Sequence, residues 1–341
     1  KELPYPKIDL VGELKKSGLS AICMTFAVDY QKLINPGDAY QRFISGLDAM
    51  DAALKDNNMK RSLNFSDLQS AHKKQKPTVI QSVEGGHFLE GKIERLEEAY
   101  NRGLRHLGLL HDNDASVPLG DIFTKPVQWG GLTAFGADVI KECNRLGILV
   151  DLSHCTNDTI NAALKVATKP VLISHTGLDT QLGQNSSMAK MMKPRLISKE
   201  QAKIVADAGG VIGVWTHLAD SPLEYAQNVR ALVDVVGIDH VCIGTDTKMI
   251  PAYRLAVANQ GNNDIRKDNP KPDSKTENNS VGEKKKTRLG ERTNEVWQDQ
   301  KVGFYYAVVD AMLKTGFTED EIVKFGGGNF CRIFNAATSR R

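Results

Sequence analysis

A glutamate, four histidines and an aspartate recur at one kind of place in this chain of 341 residues. Each closes a short, mostly apolar run. Glu84 ends TVIQSVE (78–84), His111 ends LGLLH (107–111) and His154 ends ILVDLSH (148–154). His175 ends VLISH (171–175), His217 ends VIGVWTH (211–217) and Asp246 ends VCIGTD (241–246). The chain has only 8 histidines, so four at one recurrent position is not scatter. Two imidazoles and two carboxylates converging from different strands make a metal site. Neutral imidazole nitrogen and carboxylate oxygen suit zinc, and also manganese or iron. His154 and His175 close consecutive runs and could share one ion. Glu84 has two oxygens and could bridge two ions. Asp246 could hold the second ion or orient an attacking water. Such a pair of metals activates water and polarises a carbonyl. Arg195, in MMKPRL (191–196), could anchor an anionic substrate end, because a guanidinium binds carboxylates bidentately.

The runs that end in these residues read as strands. They are Ala21–Val28, Thr78–Val83, His106–Leu110, Ile148–Leu152, Val171–Ser174, Val211–Thr216 and Val241–Gly244. Most are continuous apolar stretches, as expected of parallel strands covered on both faces. Helical patterns separate them, at Ala39–Asn57, Ile93–Arg102, Ala134–Leu146, Thr156–Ala167, Ser198–Ala208 and Ser221–Val236. In the first, Phe43, Leu47, Met50 and Leu54 keep helical spacing. Ser198 with Gln201 fits a capping box, and Gly147 and Gly237 stand where helix-ending glycines belong. Helical patterns follow at 302–314, 318–325 and 329–337, around Gly326-Gly327-Gly328. Strands alternating with helices predict an α/β fold, a (β/α)8 barrel of TIM type, in which strand ends carry the chemistry. Seven strands are one short of eight, and the missing one is expected to precede Lys1. The whole chain, 1–341, is expected to form a single barrel domain. A polar, charged insertion at about 259–292, with Lys284-Lys285-Lys286, is expected to be a solvated loop.

With 41% hydrophobic and 25% charged residues, the chain can bury a large core. A net charge of +3 gives no ground for expecting nucleic acid or an anionic membrane as partner. No stretch approaches the ~20 apolar residues of a membrane span. No signal peptide is visible at the start, and the compartment stays open between cytoplasmic and exported. Five scattered cysteines argue against a disulfide framework and for buried thiols.

Several of these segments resemble the renal (membrane) dipeptidase family of zinc peptidases, which belongs to the amidohydrolase-like barrels. The resemblance runs from about Ile8 to Ala337, apart from the insertion. SVEGGH (82–87) resembles the segment whose glutamate bridges two zincs, which implies that role for Glu84. DLSH (151–154) and ISHTG (173–177) resemble the segments whose histidines hold one zinc, implying His154 and His175. LLHDN (109–113) is similar to the segment whose histidine contacts substrate and tetrahedral intermediate, here His111. PRLIS (194–198) implies a substrate-binding Arg195, and IGTD (243–246) an aspartate near the second zinc, Asp246, which would shuttle the proton. NFCRIF (329–334) resembles the family's closing helix.

Three features depart from the family. Its first strand bears a His-x-Asp pair that completes the second zinc site, whereas Lys7-Ile8-Asp9 offers no histidine. Thr247-Lys248-Met249 replaces a frequent Asp-Gly. Trp215-Thr216-His217 replaces smaller polar or aromatic residues, which places His217 on the substrate side and implies an altered preference. The resemblance implies a zinc-dependent dipeptidase that uses a metal-activated water, tolerates a D-residue at the C-terminal position, takes a small dipeptide as substrate and could form a homodimer. Two other readings stay open. One is a hydrolase of cyclic amides, lactones or esters on the same barrel. The other is a catalytically degenerate metal-binding homologue.

Overall fold

The computed structural model describes residues 9–30, 32–249 and 292–339. The expected insertion, with Lys284–Lys286, lies outside them except for Arg292, as do Lys7 and Ile8. Seven strands form one sheet in the order β1-β2-β3-β4-β5-β6-β7: Ala21–Ala27, Thr78–Glu84, Leu104–Gly108, Leu149–Asp151, Leu172–Thr176, Val211–Val214 and Val241–Ile243. Every neighbouring pair is parallel. The sheet curls as in a (β/α)8 barrel, and no eighth strand occurs among the described residues. Twelve α-helices accompany it there: α1 Leu10–Ser17, α2 Asp38–Asp56, α3 Phe65–Lys73, α4 Arg95–Asn101, α5 Ala134–Leu146, α6 Asn157–Val166, α7 Ser186–Met192, α8 Lys199–Asp207, α9 Pro222–Val236, α10 Phe304–Lys314, α11 Glu319–Val323 and α12 Asn329–Thr338.

Local chemistry sets the helix ends. Thr133, Thr156 and Ser221 cap α5, α6 and α9 by accepting the N–H three residues on. Gly147 closes α5 in the left-handed conformation that glycine adopts without strain. At α8 only half of the expected capping box forms. Ser198 accepts from Gln201 N, but the Gln201 amide reaches Asn161 instead of returning. The reciprocal box occurs at Thr318 and Glu321.

The longer helices bury a stripe each. In α2 that stripe is Ala39, Phe43, Leu47, Met50 and Leu54, and Phe43 stacks on Phe88 with ring centres 4.0 Å apart. At the amino-terminal end of the strands, Ile80, Leu149, Leu172, Val211 and Cys242 pack in one cluster with Ile333, Phe334 and Ala337 of α12. That helix plugs the bottom of the barrel, so function belongs to the other end. All five cysteines are free, three of them buried.

Candidate metal centre

Register brings the strand ends together. Ala27 pairs with Glu84, Glu84 with Gly108 and Gly108 with Asp151, so residues just past this row emerge on one face. The third strand runs 104–108, two residues earlier than its apolar pattern suggested, because Leu109 and Leu110 are buried beyond the ladder. His111 and His154 therefore each stand three residues past a strand. After Glu84 the chain turns at Gly85, which has φ 89°, and a Cβ there would collide with the His87 ring.

Three imidazoles aim Nε2 at the Glu84 carboxylate. His154 Nε2 is 2.8 Å and His175 Nε2 3.5 Å from Oε1, and His111 Nε2 is 3.4 Å from Oε2. The Nε2 atoms of His154 and His175 are 3.1 Å apart. Four donors bonded to one ion at about 2.0–2.1 Å in a tetrahedron stand about 3.3–3.4 Å apart. The observed spacings bracket that value, so the residues fit a nitrogen- and oxygen-liganded metal. Glu84, His111 and His154 form a group whose ligand atoms lie within 4.8 Å of one another. The resemblance sets His111 apart as a substrate contact, and the structure places it beside Glu84 and His154. Burial works against ionising Glu84, but the His154 hydrogen bond and the charges of His175, His154 and His111 hold its carboxyl below the ordinary value.

The far side of each ring faces an oxygen-bearing side chain of its own. Asp151 is buried and accepts from Ser153 Oγ at 2.7 Å and Ser174 Oγ at 2.6 Å. The Ser174 hydroxyl, having given its proton to Asp151, accepts from His175 Nδ1 at 2.8 Å. His175 Nε2 is thus left with its lone pair facing the site, as a ligand requires. His154 Nδ1 lies 3.3 Å from Asp112 Oδ1, and His111 Nδ1 lies 2.6 Å from Asp29 Oδ1. Burial alone would lower the His154 pKa, but the Asp112 and Glu84 carboxylates raise it to about 9.

The remaining sequence-chosen residues border this cluster. Asp246 has φ 52°, rare for a residue other than glycine, and accepts from His217 Nε2 at 3.0 Å. Burial opposes its ionisation, while the His175 charge and the His217 bond hold its carboxyl well below the usual range. Buried Trp215 separates the two histidines, stacking on His175 and meeting His217 edge-on. Arg195 pairs with Asp112 at 3.0 Å and lies over the Phe123 ring. It lines a cavity of about 350 Å³ with Phe123, Ser153, Thr156, Asp158 and Ile197. Its pairing with Asp112 joins it to the His154 side of the cluster. Sequence reasoning missed Asp29, Asp112 and Asp151 as site residues. The last two stood inside the quoted LLHDN and DLSH segments. No helix among the described residues is long and apolar enough to cross a membrane.

Parallel strands wrapped by helices, with imidazoles and carboxylates gathered at their carboxyl ends, define a metal-dependent hydrolase barrel. The profile of the membrane dipeptidase family (peptidase family M19) matches residues 6–259, and the chain belongs to that family. It is a metallopeptidase, a metal-dependent dipeptidase by family. The fold is similar to an amidohydrolase from Pseudomonas aeruginosa, with TM-score 0.72 and 21% identity, covering 97% of this chain and 93% of that one. It is also similar to the probable dipeptidase PvdM from Pseudomonas aeruginosa, with TM-score 0.71, 16% identity and coverage of 99% and 90%. A third likeness is to a metallopeptidase from Rhodobacter sphaeroides liganded with a phosphinate mimic of the dipeptide L-Ala-D-Ala. There the TM-score is 0.68, the identity 16% and the coverage 99% and 91%.

Proposed function

We propose that the chain cleaves dipeptides, including those with a C-terminal D-residue, at a zinc centre held by Glu84, His154 and His175, with Asp246 at a second zinc. The observation that carries this reading is the convergence of three imidazole Nε2 atoms on one carboxylate. When bound, the metal supplies Lewis acidity that polarises the scissile carbonyl and acidifies water. The protein's own groups do the rest. Glu84 offers two oxygens to the centre. Asp246, ionised and steadied by His217, takes the proton of the attacking water and returns it to the leaving amine. His111 contacts the substrate and steadies charge developing on its carbonyl oxygen. Arg195 exchanges Asp112 for the substrate carboxylate, a bidentate partner. His217 borders the substrate. The tolerance of a D-residue draws on the L-Ala-D-Ala mimic bound by the Rhodobacter sphaeroides likeness.

The test is metal content and turnover of L-Ala-D-Ala and L-Ala-L-Ala, in the wild type and in Glu84→Gln. The variant is expected to lose metal and to fall in kcat/KM by at least ~10³-fold. Retained metal with retained turnover sinks the bridging role. A wild type that opens lactones or hydantoins but no dipeptide sinks the substrate assignment.

A further inference from the structure

We propose that Asp29 is the positioning residue for His111: its carboxylate accepts a hydrogen bond from Nδ1–H and so aims Nε2 at the reaction centre. The inference rests on the reading above, in which His111 meets the substrate. Asp29 stands two residues past β1 and is 2% exposed. Oδ1 lies 2.6 Å from His111 Nδ1. Oδ2 accepts the Asn113 backbone N–H at 3.1 Å and its amide at 3.2 Å, and the Asp29 carbonyl accepts from the same amide at 3.2 Å. His87 buttresses the clamp from below. Its Nε2 donates to the Asn113 carbonyl at 2.7 Å and lies 3.7 Å from Asp29 Oδ2.

The carboxylate is therefore fixed in rotation by Asn113 and cannot turn away from His111. An ionised carboxylate only accepts, so Nδ1 must carry a proton. The opposite nitrogen then faces Glu84 Oε2 at 3.4 Å, at the mouth of the site. A carboxylate this buried is costly unless it is well bonded. Its bonds go to the His111–Asn113 segment, which lies beyond the β3 ladder and has no strand partner among the described residues to hold the His111 ring. Asp29 supplies what the sheet does not.

The experiment compares wild type, Asp29→Asn, His111→Ala and the double variant, all metal-loaded, on L-Ala-D-Ala, with metal content and melting measured alongside. Nitrogen-15 spectra of histidine-labelled, metal-free wild type read the His111 ring directly. Asp29→Asn keeps the side-chain shape but can present an N–H to Nδ1. It is expected to cut kcat by ~10²-fold or more. KM should stay within about threefold, because the effect falls on the chemical step. Metal content and melting should match wild type. In the His111→Ala background the same change should add nothing, since Asp29 acts through that ring. The wild-type spectrum should show a proton on Nδ1 of His111. An unprotonated Nδ1 overturns the proposal, as does an unchanged kcat in Asp29→Asn. An equal further loss in the His111→Ala background also overturns it, making Asp29 structural. If the wild type cleaves no dipeptide, the functional reading fails, and the spectrum alone still judges the pairing.

Discussion

Burial acts alike on the histidines near Glu84, and their carboxylate neighbours set them apart. His106 and His87 are buried without a close anionic hydrogen-bond partner, and desolvation holds both below the ordinary value of 6.5. His154, equally buried, is raised to about 9 by Asp112 and Glu84. For the first pair, the unfolded chain gains protons as pH falls through 6.5 while the folded chain resists them. Their contribution is complete above 6.5 and lost below it. For His154 the sign reverses: its contribution is complete below 6.5 and is lost as pH rises toward 9. The metal-free protein is therefore expected to be most resistant to urea near pH 6.5, declining on both sides. His106→Gln should flatten the acid limb below pH 6.5. Identical acid limbs in both proteins would remove His106 from the explanation. The strand-end residues were legible because parallel strands all present their carboxyl ends on one face. Asp29 was not, because its partner His111 lies 82 positions away and neither stands on a strand. Asp112 was likewise hidden, because its pairing with Arg195 spans 83 positions.

At the scale of elements, the close approach of β5, β6 and β7 fixes where His175 can stand. A Cβ at Gly213 or at Gly244 would collide with the Ser174 carbonyl oxygen. These glycines let the strands draw together next to Ser174, the neighbour of His175. Gly213→Ala should cost about 1–3 kcal/mol of stability through overpacking. It should also weaken metal uptake by shifting His175. Calorimetry and metal titration check this together, and an alanine variant that binds metal as wild type does would separate strand packing from the site. All seven strands were legible as short apolar-rich runs, most of them near-continuous, and the second is buried along nearly its whole length. The ends of β3 were misread because burial continues past the hydrogen-bonded ladder. Helix α3 escaped the reading because only Leu68 of its nine residues is buried, which leaves no apolar stripe.

At the scale of the molecule, the barrel has a sealed end and a working end. The α12 plug closes one, and the Glu84, His111 and His154 cluster occupies the other. The working end was legible in outline from the alternation of strands and helices, whereas the α12 plug emerged only from the packing. The carboxylates behind the histidines were not legible, because those contacts arise only once the sheet curls. A metal that binds the folded chain stabilises it by mass action, about 4 kcal/mol at a thousand times Kd. Chelation should lower the melting temperature reversibly, and Glu84→Gln should melt alike with or without chelator. A chelator effect of equal size in that variant would place the metal elsewhere. The central claim is that imidazole and carboxylate at the strand ends hold the catalytic metal. X-ray absorption of the zinc-reconstituted protein tests it most directly. The account predicts a nitrogen and oxygen shell at about 2.0–2.1 Å with imidazole outer scattering. A sulfur shell at about 2.3 Å, or a shell without imidazole, would contradict it.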